Sequence, residues 1–217
     1  HDEWLSWMET AGYAWESIPE HGRFTKRELD SRPGFEGLRF ATLHLDRGNG
    51  IIYAAALKGW IAVFGSSIFS LRMLSVLFGL LVVLFGRTLS AELRLGPRCQ
   101  AITSFMLAAS PFLIIYSRQT RSYMLATALV LLATLVLFRW LRSEGRRSWM
   151  LAAAYGFTIA LAGLSHYSTL PIALAHGLIL LFWPVPRKPW LTVSAAIAAC
   201  ALPLAAWMLY GGFDGML

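Results

Sequence analysis

The sequence predicts an all-α membrane protein, a polytopic bundle of transmembrane helices with a polar loop on one face. Of the 217 residues, 57% are hydrophobic and only 14% are charged. The mean hydropathy is +0.56, and this composition lies outside the range usual for soluble domains. The second observation is a series of long apolar runs separated by short, mostly basic segments.

The basic character of the chain is explained by membrane topology. A net charge of +7 and a pI near 9.8 are also typical of nucleic-acid-binding proteins. Here, however, the Arg residues form short clusters between apolar runs, as the positive-inside rule predicts for cytoplasmic loops. We therefore expect no nucleic-acid partner. Cys99 and Cys200 have the spacing of neither a disulfide framework nor a metal site.

Residues 51–217 form the predicted transmembrane region. Six spans are predicted at about 71–92, 101–117, 122–141, 149–166, 169–183 and 190–210. The preceding run, "GIIYAAALKGWIAVFG", is shorter than the roughly 20 residues that a span requires and contains Lys58. It predicts an interfacial or re-entrant helix over about 51–65.

Residues 1–50 form a predicted outer-face loop with juxtamembrane amphipathic helices. Within it, residues 2–17 carry Trp and other apolar residues at roughly helical spacing, which is typical of a helix on the bilayer surface. The chain opens directly on an acidic pair and two Trp residues, "HDEWLSWM", so we expect a fragment that lacks the first transmembrane helix.

The basic clusters orient the predicted spans. The first, third and fifth inter-span loops carry them, at Arg87, Arg94 and Arg98, then Arg139, Arg142, Arg146 and Arg147, then Arg187 and Lys188. These loops belong in the cytoplasm under the positive-inside rule. Residues 1–70, "SRQTRSY", "SHYST" and "GGFDG" then share the outer face. We expect a multi-pass protein of the cell membrane with its site at that outer boundary.

The segment "SRQTRSY" is a candidate anion site. Arg118 and Arg121 lie on the side that the positive-inside rule disfavours, where two planar guanidinium forks suit a lipid phosphate. The alternative is an ordinary polar turn flanked by the interfacial tyrosines Tyr116 and Tyr123. Arg72, which opens its span in "SLRMLS", either joins this site or extends its side chain to the interface.

Other polar residues of the same face also have two interpretations. His166 and Tyr167 are either interfacial residues or hydrogen-bond donors to a phosphate or a sugar hydroxyl. Asp46 precedes the interfacial helix in "HLDRGNG", where the Gly residues around Asn49 predict a tight turn. A carboxylate there could bind an acceptor or share the role of a base.

The opening pair Asp2 and Glu3 likewise has two interpretations. The carboxylates could cap and charge the first turn of a helix, where they favourably meet the N-terminal dipole. Alternatively, one of them is the base that a transfer from a lipid phosphate to a hydroxyl requires, since the hydroxyl proton must be removed.

Four segments in this order resemble the polyprenol-phosphate-sugar-dependent glycosyltransferases of the type C fold. They are the Asp-Glu pair, "LDRGNGIIYAAALKGWIAVFGSSIFSLRMLSVLFGLL", "SPFLIIYSRQTRSYML" and "LSHYSTLPIALAHGLILL". The superfamily includes protein O-mannosyltransferases and the lipid A aminoarabinose transferase, and bacterial members with family 39-like domains are the most similar. The resemblance implies inverting transfer of a sugar from a polyprenyl phosphate to a hydroxyl acceptor, which is a protein, lipid or glycan.

The resemblance also implies roles for individual residues. Asp2 matches the catalytic carboxylate, a general base, with Glu3 in support. Arg121 and Tyr123 match the Arg and Tyr of the family's "Q-E-A-R-x-Y" stretch, and His166 and Tyr167 match its "T-H-Y". Arg72 matches the family's Arg that opens the span after the interfacial helix. The expected donor site is thus Arg72, Arg118, Arg121, Tyr123, His166 and Tyr167, with Asp46 and Asn49 on the acceptor side.

This sequence departs from the family pattern at two places. The family's usual His-Pro-Pro before the interfacial helix is replaced by Gly48, Asn49 and Gly50. The Glu of the family's "Q-E-A-R" stretch is replaced by Gln119. No cofactor is expected beyond the lipid-linked sugar, which is a substrate. The resemblance leaves a divalent cation open, with no ligands assigned to it in this sequence.

Two other functional classes remain open. A transporter or flippase for a lipid-linked sugar would use the same Arg residues but no base, and a structural membrane subunit would use neither. Transporters carry ionisable residues at mid-membrane depth, and predicted spans such as those at 101–115 and 124–138 contain almost none. A glycosyltransferase requires Asp2 and Arg121 to face one cavity.

Overall fold

The computed structural model describes residues 2–13, 34–182 and 190–212, which are helical and contain no strand. The all-α class predicted from the sequence is confirmed for these residues. The predicted end of the first helix at residue 17, the basic loop around Arg187 and the terminal "GGFDG" lie outside or partly outside them.

Three helices precede the first helix that is long and apolar enough to cross a membrane. They are α1 (Asp2–Thr10), α2 (Phe35–Asp46) and α3 (Ile51–Phe64). Helix α1 ends at Thr10 and is followed by Gly12 at a φ of 80°, a left-handed conformation that stops a helix. Helix α2 lies within the predicted outer-face loop, but the sequence analysis assigned no helix to these particular residues. Helix α3 has nearly the bounds of the helix predicted over about 51–65.

The remaining helices follow the predicted apolar runs. They are α4 (Ile68–Glu92), α5 (Pro97–Ala108), α6 (Pro111–Ser117), α7 (Tyr123–Leu141), α8 (Gly145–Ser165), α9 (Leu170–Phe182) and α10 (Trp190–Trp207), which continues into a wider turn, Met208–Gly212. Among the described residues, four helices are long and apolar enough to cross a membrane, namely α4, α7, α8 and α10 with its turn. Helix α9 has only 13 residues.

The predicted span 101–117 is divided into two helices. Helices α5 and α6 meet at a bend of 54° and together would make a fifth span. The break lies at Pro111, which is the first residue of α6. Because proline has no N–H and its ring clashes with the preceding turn, a continuous helix is disfavoured there.

The alternating directions of the helices bring one set of ends together. The segment between α6 and α7 contacts the end of α2 through Arg121 and Asp46. The turn between α2 and α3 is bonded to Tyr167 and Trp207, which follow α8 and end α10. At the opposite end, Glu92 pairs with Arg139 and Arg142 at 3.1 and 2.9 Å. The candidate residues therefore gather at one end of the bundle, as the sequence predicted.

A chain of hydrogen bonds ties α9 to the bundle. His176 is 4% exposed, with Nε2 3.1 Å from the Thr134 hydroxyl and Nδ1 3.3 Å from the Tyr155 hydroxyl. The Thr134 hydroxyl donates to the Val130 carbonyl at 2.8 Å. It can then only accept from His176, which assigns the ring proton to Nε2 and leaves Nδ1 to accept from Tyr155.

Replacing Thr134 with valine is expected to lower the free energy of unfolding by about 1 kcal/mol, because a buried His176 N–H loses its acceptor. The measurement is denaturation of the protein in detergent micelles. Thr103→Val is the matched control, because within the described residues the Thr103 hydroxyl bonds only to the Cys99 carbonyl of its own helix. Equal effects of the two substitutions would contradict a role for the chain of hydrogen bonds.

Candidate functional site

Helix α1 places a buried carboxyl group, that of Glu9, at the end of the bundle where the candidate residues gather. Met8 and Ala11 pack in the core, and the Ser6 hydroxyl donates to the Thr120 carbonyl beside Arg121. Glu9, three residues after Ser6, lies on the same helix face. Glu9 is only 5% exposed, and Oε1 of its carboxyl is buried with no hydrogen-bond partner among the described residues.

Burial is the main influence on Glu9. It raises the pKa of the Glu9 carboxyl from 4.5 to about 8, and the negative charge of Asp46 adds to the increase. The neighbouring Thr42 hydroxyl and the positive charge of Arg121 oppose this change in pKa. At neutral pH the carboxyl is therefore mostly protonated. The sequence analysis missed Glu9, although its position seven residues after Asp2 places both on one face of a helix.

Arg121 and Asp46 form the charged pair of the site. Their side chains meet at 3.1 Å between Nη2 and Oδ1, and each is 25% exposed. Burial by itself lowers the pKa of Arg121, but the charge of Asp46 and contributions from Tyr123 and Glu9 reverse the change and raise it. Arg121 is therefore a permanent cation, and its exposed quarter remains accessible.

Tyr123 and His166 lie beside this pair. Their ring centroids are 5.2 Å apart, and the Tyr116 ring packs on Tyr123 at 4.8 Å. Nδ1 of His166 accepts from the Ser168 backbone N–H at 3.3 Å and contacts the Ser168 hydroxyl at 2.8 Å. Burial lowers the pKa of His166, and Arg121 lowers it further, against the opposing effect of Asp46. The ring is therefore neutral at pH 7, with the proton on Nε2 available for donation.

A cavity of about 350 Å³ adjoins Tyr123 and His166. Its other walls are mostly apolar and include Phe112 of α6, Val130 of α7 and Ile172 of α9. Val130 is seven residues beyond Tyr123, about 10 Å along the helix axis. The cavity thus has a polar end at Tyr123 and His166 and an apolar end between helices. Arg121 does not line the cavity but interacts electrostatically with both residues of its polar end.

The turn after Asp46 is fastened to the bundle by hydrogen bonds. Tyr167 donates from its backbone N–H to Asn49 Oδ1 at 3.0 Å and from its hydroxyl to the Gly48 carbonyl at 2.7 Å. Trp207 Nε1 donates to the same carbonyl at 3.0 Å. Trp207 was not identified from the sequence. Tyr167 was predicted on the donor side and Asn49 on the acceptor side. In the structure, both residues hold the turn that follows Asp46.

The other predicted site residues lie at the same end of the bundle. Arg72 is in the first turns of α4 and Arg118 directly follows α6, both with exposed side chains. Asp2 and Glu3 begin α1, and their side chains lie outside the described part of the structure. Positions 2, 6 and 9 share one face of α1 by helical register. The structure therefore unites Asp46, Asn49, Arg121, Tyr123, His166 and Tyr167, and adds Glu9.

No group of three or more His, Cys, Asp or Glu residues suited to a metal ion occurs within residues 2–13, 34–182 and 190–212. Comparison of the chain with protein-family models, with curated proteins and with solved structures finds no match. The function is therefore inferred from the chemistry of the site.

Proposed function

We propose that this protein is an inverting membrane glycosyltransferase that moves a sugar from a polyprenyl phosphate to a hydroxyl acceptor at the outer face of the membrane. The observation that carries the proposal is the position of Arg121. The guanidinium is oriented by Asp46 and interacts electrostatically with Tyr123 and His166, which line the polar end of a largely apolar cavity. A polyprenyl phosphate likewise has a polar part and an apolar part, an anionic head group and a long apolar tail.

Arg121 and His166 are the proposed contacts for the donor phosphate. A guanidinium presents a planar fork of donors that matches phosphate oxygens and keeps its charge at all relevant pH values. His166 adds a neutral N–H donor through Nε2. As the bond between the sugar and the phosphate breaks, negative charge grows on the leaving phosphate, and these groups stabilise it.

The acceptor side requires a base. The acceptor oxygen attacks the anomeric carbon, the bond to the lipid phosphate breaks, and the hydroxyl proton passes to a carboxylate. The family resemblance assigns this role to Asp2, and Glu3 supports it. Helix α1 packs against the segment that carries Arg121 through the bond from Ser6 to Thr120, which favours a shared site. Asp46 is already paired with Arg121, so we assign it an orienting role.

A transporter or flippase for a lipid-linked sugar is the second candidate. His176 favours it, since an ionisable residue buried within an apolar helix often marks a transport pathway. Both ring nitrogens of His176 are, however, within hydrogen-bonding distance of Thr134 and Tyr155. The residue therefore has a sufficient structural role, and glycosyl transfer remains the preferred function.

The test is transfer of radiolabelled sugar by the full-length protein in liposomes, with a panel of polyprenyl-phosphate hexoses and pentoses as donors. We expect Asp2→Asn to lose turnover by about 100-fold or more while donor binding is retained. Turnover equal to the wild type would exclude Asp2 as the base. Donor binding and movement across the bilayer, with no transfer by either protein, would favour the flippase.

A further inference from the structure

We propose that Glu9 is a positioning residue that holds one proton for a pair of carboxyl groups, so that Asp46 alone faces Arg121 as an anion. The proton on Glu9 keeps the guanidinium available to a lipid phosphate. The inference rests on the proposed function, because it explains how Arg121 is prepared for that ligand. Glu9 itself is too deeply buried to touch a substrate.

The cluster contains two carboxyl groups, those of Glu9 and Asp46, and one guanidinium, that of Arg121. Arg121 is paired with Asp46, and Glu9 Oε1 has no hydrogen-bond partner in the described residues. If both carboxyls were ionised, the buried cluster would carry a net negative charge, with one charge uncompensated. Two carboxyls that share a site avoid this by keeping one proton between them.

The groups around Glu9 favour placing that proton on Glu9 rather than on Asp46. Asp46 comes from α2, Arg121 from the segment before α7, and Tyr53 from α3, and each acts electrostatically with Glu9. Burial raises the pKa of Tyr53, so it is neutral at any physiological pH. Asp46 is 25% exposed and in contact with the cation, whereas burial raises the pKa of Glu9 to about 8.

Alkaline pH should therefore weaken binding of the lipid phosphate. Above a pH of about 8 Glu9 loses its proton, and a second anion then attracts Arg121 and repels the phosphate. The dissociation constant and the KM for the donor should rise, whereas kcat should change less, because Glu9 does not contact the reacting atoms. A purely structural role for Glu9 predicts no such separation.

The experiment compares wild type with Glu9→Gln, an uncharged side chain of the same shape. Binding of radiolabelled polyprenyl phosphate to the protein in liposomes is measured between pH about 6.5 and 9.5. The probe itself titrates, so the ratio of the two dissociation constants is the readout. We expect a ratio near one at low pH and a wild-type constant about 10-fold higher at the alkaline end. A ratio independent of pH would overturn the proposal.

Asp46→Asn gives a second, independent test. Removing the charge of Asp46 frees Arg121 to pair with Glu9, so the midpoint of the pH dependence should fall by about one pH unit or more. An unchanged midpoint would overturn the proposal even if Glu9→Gln fails to fold. A pH-dependent binding ratio in a protein that transfers no sugar would support the Glu9–Asp46 pair and exclude the proposed transferase activity.

Discussion

Arg121→Ala is expected to reduce sugar transfer by about 100-fold or more. Loss of one preorganised donor to a developing negative charge typically costs that much. The substitution also leaves the partly buried Asp46 carboxylate without its cation, beside Glu9. We therefore expect the free energy of unfolding to fall by about 1–3 kcal/mol as well. Initial rates with a polyprenyl-phosphate sugar and denaturation in detergent measure the two effects.

A double variant separates these effects. In Arg121→Ala/Asp46→Asn the unpaired carboxylate is gone, so stability should recover largely while transfer should not. Arg121→Lys keeps the charge but loses the planar fork, and we expect an intermediate rate. Arg118→Ala serves as the neighbouring comparison because Arg118 is exposed and has no ion pair within the described residues. A larger loss for Arg118→Ala than for Arg121→Ala would contradict the assignment of the phosphate contact.

The sequence was sufficient to predict the end of the bundle where the candidate residues gather. Apolar runs long enough to span a bilayer, separated by short loops, must alternate in direction, so every second loop lies at the same end. This rule alone brings Arg121 and His166 together, although 45 positions separate them in the chain. Their proximity to Asp46 could not be derived in this way, because it depends on how α2 and α3 fold back onto the helix ends.

Helix α2 and Glu9 were missed for a common physical reason. The apolar face of α2 consists of few residues, including Leu38 and Ala41, within a polar and Gly-containing segment. Its helical state therefore depends on tertiary packing that the local pattern does not record. Glu9 was missed for the same reason, because an acidic residue in an amphipathic helix is normally exposed. Its burial comes from the packing of α1 against the neighbouring helices, which the local pattern does not record.

Gly48→Ala is expected to destabilise the protein far more than Gly50→Ala. Both glycines have left-handed backbones, with φ of 76° and 87°, so each alanine costs about 1 kcal/mol of conformational strain. The two positions differ in the room available for a Cβ atom. A Cβ at position 48 would lie 2.9 Å from the Tyr167 hydroxyl oxygen and 3.2 Å from the Gly212 carbonyl oxygen, whereas at position 50 the nearest atom is 3.9 Å away.

We expect Gly48→Ala to lower the free energy of unfolding by about 2–4 kcal/mol, against about 1 kcal/mol for Gly50→Ala. The crowded turn should also displace Asp46, two residues earlier, from Arg121, so sugar transfer should fall further in Gly48→Ala. Denaturation and initial rates in detergent measure both. In a Tyr167→Phe background the Cβ meets no hydroxyl, so the effects of the two substitutions should be less than additive. Full additivity would show that the clash with the Tyr167 hydroxyl does not contribute, and would place the cause in backbone strain and the close approach to Gly212.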